Sequence, residues 1–373
     1  MELIINIGRI LLQGIYSLLK LFPVKKKVVF LSRQHDTSNS DFDLLIQQLK
    51  KDCPDIQCVV LAKMIHSNLL SKLSYACHIF TQLYHLATAQ VAVLDTYCIP
   101  VSLLHHRESL TVIQIWHAVG AFKKFGYSIV GKAEGSSERV AKAMRMHDNY
   151  DYVCTSSAAA LPYFAEAFHT NQKHMIIYPL PHLDLLKDKE YQNKRMADIY
   201  QAYPQLRHGK KVLLYAPTFR KDDTDMNTII QDMCERIDFN QYELIVKLHP
   251  LTKQTITDKD CIIDTTFTTA DMLFVSDVVI TDYSAIVFEA AFLHKQLYFY
   301  TFDYESYLDK RDFYLNYEET MPGLITSDFS EIIKSLDTAY DDRRVAEFAF
   351  AYIVDPKVSY TKDLSDFILD KIK

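Results

Sequence analysis

Two histidines stand directly behind apolar runs and beside cations. His117 lies in Trp116-His117-Ala118-Val119-Gly120, ahead of Lys123 and Lys124, and His249 lies in Lys247-Leu248-His249-Pro250. Two further apolar runs end in polar groups of another kind, Ala216-Pro217-Thr218-Phe219-Arg220-Lys221 and Thr281-Asp282-Tyr283-Ser284. An imidazole can take or give a proton near pH 7, and fixed cations and helix-start N–H groups stabilise phosphate oxygens. A positioned base together with a stabilised leaving group is what transfer onto a hydroxyl requires. With 14 histidines in the chain, any single one is most often structural, so the weight rests on two at strand exits, one in each half.

These residues need a scaffold that gathers strand ends. Residues 277–317 supply the clearest piece: a buried-type strand Val278–Thr281, a break at Asp282-Tyr283-Ser284, a helical run Ala285–His294 and a second strand Gln296–Tyr300. In such a βαβ unit the first turn lies at the carboxyl edge of a parallel sheet, where ligands bind and a helix start faces phosphate. Short apolar strands at Val28–Ser32, Gln57–Ala62, Gln90–Asp95, Thr111–Trp116, Asp151–Thr155 and Met175–Tyr178 predict one Rossmann-like domain. Val212–Tyr215, Glu243–Leu248, Val278–Thr281 and Gln296–Tyr300 predict a second. The division expected is a domain over 25–181, a polar connection over 182–210, a second domain over 211–355 and a closing helix in 356–373. The polar loop Ser32–Ser40 reads as a binding loop or, by preference, as a solvated surface loop.

A chain of 373 residues suits two α/β domains. Its net charge of −6 argues against bulk nucleic-acid binding. Seven scattered cysteines without a CxxC pair read as reduced thiols. Residues 1–24 form an amphipathic segment: Ile4, Ile7, Leu11, Ile15, Leu18 and Phe22 share a stripe, interrupted by too many polar groups to span a bilayer, and Lys25-Lys26-Lys27 follow Pro23. That pattern fits a helix lying on an anionic membrane surface, or equally one packed on its own domain. No cleavable leader is expected. The adjacent acids Asp222-Asp223 and Asp341-Asp342 read as solvated pairs, so no metal site is assigned.

The blocks WHAVGAFKKFG, LYAPTFR, KLHP and TDYSAIVFEAAFLHKQLYFYTFDYESYLDKRDFY, with the later PGLI, resemble the CDP-glycerol glycerophosphotransferases, the teichoic-acid primases and polymerases of Gram-positive bacteria. The resemblance runs over roughly residues 110–326 and implies a GT-B-like fold: two Rossmann-like domains facing across a cleft, held peripherally on the cytoplasmic face of the membrane. It implies transfer of glycerol phosphate, or a related polyol phosphate, from CDP-glycerol to a lipid-linked wall-polymer acceptor with release of CMP. His117 is then the general base and His249 the group beside the donor phosphates. Thr218, Arg220, Lys247, Asp282, Tyr283, Ser284 and Arg311 would bind the donor, Glu289 would hold its ribose, and Lys123 and Lys124 would meet the acceptor. No cofactor is required, although diphosphate chemistry leaves assistance by a divalent cation open.

The chain departs from the family pattern in two places. Ala118 and the run Val119–Lys123 replace the usual continuation after the first histidine, and Ala285 replaces the second serine of a pair. The basic stretch Lys132–Arg145 reads equally as an acceptor surface or as a solvated helix. Two rival readings stand beside the first: a GT-B glycosyltransferase using a nucleotide sugar, and a catalytically silent membrane-bound module.

Overall fold

The structure is a computed structural model; it describes all residues except 1, 66–68, 133–134, 221–224, 250, 253, 257, 259, 309–310 and 373, and leaves the side chains of 2–4 and 69 undescribed. The acids Asp222 and Asp223 therefore lie outside the described residues, as do Ala133 and Glu134 of the basic stretch. The chain divides into one unit of Met1–Asp184 with Val354–Lys373 and a second of Leu185–Ile353.

The first unit is built on six parallel strands, β1 (Lys27–Ser32), β2 (Gln57–Ala62), β3 (Val91–Leu94), β4 (Thr111–Gln114), β5 (Tyr152–Thr155) and β6 (Met175–Ile177), in the order β2-β1-β3-β4-β5-β6. β1 and β3 are buried along their whole length, the burial expected of a parallel sheet covered on both faces. The strand order reverses between β1 and β3, so the loops after these two strands part at the carboxyl edge and leave a crevice there. The helix Ser40–Asp52 begins at this crevice. Its cap Asn39 accepts the Phe42 N–H at 2.9 Å and donates to Asp95 at 2.9 Å, tying the end of the first loop to the end of β3. The closing helix Tyr360–Asp370 returns to this unit, where the Asp184 carboxylate accepts the N–H groups of Tyr360 and Thr361 at 3.0 and 2.8 Å.

The second unit holds β7 (Lys211–Ala216), β8 (Tyr242–Val246), β9 (Ile262–Ile263), β10 (Val278–Thr281), β11 (Gln296–Tyr300) and β12 (Leu324–Thr326), all parallel, in the order β12-β11-β10-β7-β8-β9. This is the doubly wound dinucleotide-fold order, with its reversal between β7 and β10. Leu213, Tyr215, Leu244, Val246, Ile280 and Tyr298 share one core with Ile230 and Phe329 of the covering helices. The segment expected as a polar connection is fastened to this unit. On its helix Lys189–Ala202, Arg195 makes a two-pronged pair with Asp271, and just beyond it Tyr203 donates to Asp264 at 2.7 Å. β9 and β12 are two and three residues long, too short to carry a readable period.

The first helix, Glu2–Leu19, packs on its own unit through one side of its surface. Tyr16 is fully buried and its hydroxyl meets His106 Nδ1 at 2.8 Å, while Gln13 accepts the His105 N–H. The predicted stripe faces outward instead: Leu11 and Leu18 are about two-thirds exposed, at 63% and 67%. The basic cluster is smaller than expected. Lys27 opens β1, is 2% exposed and hydrogen-bonds Thr88, and burial pushes its pKa down to about 8, helped by Lys25. Among the described residues no helix is long and apolar enough to cross a membrane.

Candidate active site

In the second unit the carboxyl ends of β7 and β10 meet at the point of strand reversal, and Asp282 joins them. Its Oδ1 accepts the Thr218 N–H at 2.8 Å and the N–H of Tyr283, its Oδ2 accepts Arg220 Nη2 at 2.8 Å, and its carbonyl accepts the Tyr317 hydroxyl at 2.7 Å. Arg220 spends the rest of its fork on Asp303, at 2.7 and 3.0 Å, and on the Thr218 carbonyl at 2.7 Å. Desolvation works against the guanidinium charge, but Asp282 and Asp303 outweigh it and hold the Arg220 pKa above its ordinary value. Tyr283 is buried, stacks on Tyr307 at 3.7 Å and donates to Asp303 at 3.2 Å.

This placement corrects part of the expected donor set. Arg220 is 6% exposed and Asp282 is fully buried, each committed to the other. The reason is electrostatic. A buried guanidinium is tolerated only when its donors are matched by acceptors, and two carboxylates on one cation leave no surplus positive charge. Lys247 is taken up likewise, its Nζ lying 2.7 Å from Asp264 Oδ2 in a buried pair. Tyr283 packs as an aromatic spacer. These four residues position the rim.

What the rim exposes is a smaller set. Pro217, Thr218, Arg220, Leu248, His249 and Gln254 line a shallow recess. Thr218 Oγ1 is buried there with no hydrogen-bond partner among the described residues. Ser284 is half-buried ahead of the helix Ile286–Phe292, and Glu289 is half-buried within that helix. At seven residues this helix offers a weak dipole. Arg311 is half-buried just beyond the helix Tyr304–Leu308. His249 is exposed; its Nδ1 accepts the Leu251 N–H at 3.2 Å and its ring lies 5.4 Å from Phe219. An Nδ1 that accepts leaves the proton on Nε2, which makes His249 a donor.

In the first unit His117 follows β4, and its Nδ1 lies 2.8 Å from the Asp95 carbonyl, which can only accept. The proton therefore sits on Nδ1, and Nε2 keeps its lone pair. Gln34 Nε2 lies 3.1 Å from that nitrogen and 3.2 Å from Nδ1. The loop read as a solvated surface is thus part of the site, because it enters the crevice between β1 and β3. The Trp116 backbone is left-handed at φ 62°, which costs about 1–2 kcal/mol in a residue with a side chain. Two contacts hold it: Gln114 Oε1 accepts the Trp116 N–H at 2.9 Å, and the indole stacks on Phe125 at 5.0 Å. Lys123 and Lys124 are half-buried beside buried Ala121 and Phe122. Gly126 then turns the chain at φ 58°, where a Cβ would stand 2.3 Å from the Ala167 carbonyl oxygen.

Gln34, Asp95, Asp264 and Asp303 carried no sequence signal of their own, since their parts are defined by partners 17 to 83 residues away. Only the placement of the first loop at a strand reversal could have drawn attention to Gln34.

Residues 15–363 match the family described as CDP-Glycerol:Poly(glycerophosphate) glycerophosphotransferase. The chain belongs to this family. It is 36% identical over 367 residues to a teichoic acid ribitol-phosphate primase of Bacillus spizizenii, covering 95% of this chain and 94% of that one. It is 30% identical to the teichoic acid ribitol-phosphate polymerase TarL of Staphylococcus aureus, over 92% of this chain and 62% of the longer polymerase. The fold is that of the wall teichoic acid polymerase TagF, with a TM-score of 0.77 at 19% identity over 100% of this chain and 97% of that one. The two six-stranded parallel sheets are thus those of a GT-B-like member of the family.

The protonation of His117 is directly testable. Desolvation lowers its pKa, the Asp95 carbonyl opposes that shift and His35 adds to it. The neutral ring is therefore favoured in the folded protein, with its midpoint shifted below the usual value of about 6.5. An NMR titration, with the resonance assigned through His117→Gln, should give a midpoint below that value. A midpoint at or above it contradicts the assignment.

Proposed function

We propose that this protein transfers a polyol phosphate from its CDP-activated form to a hydroxyl of a lipid-linked wall-polymer acceptor, releasing CMP. The supporting observation is that the two histidines at strand exits meet opposite backbone groups, the His117 Nδ1 a carbonyl at Asp95 and the His249 Nδ1 an N–H at Leu251. His117 takes the proton of the acceptor hydroxyl as its oxygen attacks the phosphorus bearing the polyol. The bond between that phosphorus and the bridging oxygen of the diphosphate breaks, and His249 donates a proton or hydrogen bond to the CMP phosphate that leaves. Thr218 and Ser284 hydrogen-bond the diphosphate, Glu289 holds the ribose, and Arg311 adds charge. Lys123 and Lys124 meet the acceptor. Near-full-length similarity to a ribitol-phosphate primase favours ribitol as the polyol.

The membrane reading draws on the outward stripe of the first helix. The neighbouring helix Leu69–Thr88 adds exposed Leu70, Leu73 and Phe80, and Lys25 stands exposed nearby. A polar-flanked apolar surface of this kind suits peripheral attachment to an anionic leaflet on the cytoplasmic face.

With a synthetic lipid-linked acceptor, CDP-ribitol, CDP-glycerol and UDP-sugars should be compared for release of CMP or UDP. CDP-ribitol is expected to turn over fastest, and His117→Ala should lose roughly 10²–10⁴-fold in kcat with donor affinity nearly unchanged. Turnover of a UDP-sugar with no CMP from either polyol donor would overturn the reading; His117→Ala activity within about tenfold of the parent would remove the base assignment.

Sedimentation with vesicles tests the surface. Binding should rise with anionic lipid content and fall in a Leu11→Glu, Leu18→Glu variant. Equal binding by both proteins would exclude the stripe as the anchor.

A further inference from the structure

Away from the rim, the second unit brings three ligand-bearing side chains together from separate elements. Cys234 is buried on the helix Met226–Arg236, Asp258 is half-buried on the loop that follows His249, and half-buried Cys261 directly precedes β9. One ligand atom from each, the two sulfurs and a carboxylate oxygen, all lie within 4.8 Å of one another. In a tetrahedral zinc site the ligand atoms stand roughly 3.5–3.8 Å apart, given Zn–S of about 2.3 Å. Side-chain adjustments of about an ångström would close this set around an ion.

We propose that Cys234, Asp258 and Cys261 bind a thiophilic divalent cation of the zinc type, with solvent as the fourth ligand. Two thiolates select zinc over magnesium or calcium, which prefer all-oxygen shells. Asp258 Oδ1 also accepts the Asp260 N–H at 2.8 Å, an outer hydrogen bond that orients the carboxylate as second-shell partners of metal ligands do. The half-open side formed by Asp258 and Cys261 provides the entry path. None of the three residues serves the candidate active site.

The position gives the ion a structural task. Gln254, on the same loop, accepts the Met226 N–H at 2.9 Å and so clasps the loop to the first residue of the helix. A cation held by Cys234 and Cys261 clasps the same loop to the helix's last turn. The segment from His249 to Cys261 is then secured at both ends of one helix, which steadies the histidine at its start. The spacing from 234 to 261 matches no sequence motif, so only the fold brings the set together.

The test is a cobalt titration of the chelator-stripped, reduced full-length protein, which does not depend on any enzymatic activity. About one equivalent should bind with the absorption of tetrahedral, thiolate-ligated Co2+ and be displaced by Zn2+. Cys234→Ser and Cys261→Ser should abolish that spectrum, and Asp258→Asn, a half-exposed change that leaves the fold intact, should weaken binding roughly 10-fold or more. Cys77→Ser, at an exposed cysteine, should change nothing. The proposal is overturned by absence of the tetrahedral spectrum, by its survival in both serine variants, or by a Cys234–Cys261 disulfide in a protein whose reduced form takes up no cobalt.

Discussion

The second unit depends on one buried carboxylate. Asp282 fastens the end of β10 to the end of β7 at the place where the sheet reverses, and Arg220 extends that fastening to Asp303 after β11. Without it, strand ends that parallel winding drives apart would leave Thr218 and Ser284 on independently moving loops. Arg220, Asp282, Asp303 and Tyr283 satisfy one another almost completely, which is what allows them to be buried.

The two histidines differ by the backbone group that each meets. A carbonyl at Asp95 fixes the His117 proton on Nδ1, whereas an N–H at Leu251 fixes the His249 proton on Nε2. Loop geometry thus sets which nitrogen of each ring carries the proton. The strain at Trp116 belongs to the same arrangement, because a left-handed residue immediately ahead of His117 redirects the chain toward the crevice between β1 and β3.

Much of the scaffold was legible from hydrophobic runs. Gln57–Ala62, Val278–Thr281 and Gln296–Tyr300 have the bounds their apolar stretches predict, and the last two are buried almost throughout, which leaves little room for polar residues. Charged residues were read less well. Arg220 and Lys247 have the right type and position for phosphate binding, but a sequence does not reveal that Asp303 and Asp264 will claim them. The polar loop Ser32–Ser40 was open to two readings: its composition alone does not separate solvated surface from a binding loop, and only sheet order puts Gln34 against His117. In the first helix a single buried tyrosine suffices for docking while the apolar stripe stays outside.

The measurement that bears most directly on this account is the unfolding free energy of Arg220→Met in urea, compared with the parent protein. Leaving Asp282 and Asp303 buried without their cation should cost about 3–5 kcal/mol, with the loss confined to the second unit by hydrogen exchange. A loss below about 1 kcal/mol, the scale of a surface pair, would mean that the strand ends are held by something else and that Arg220 is free to meet the donor.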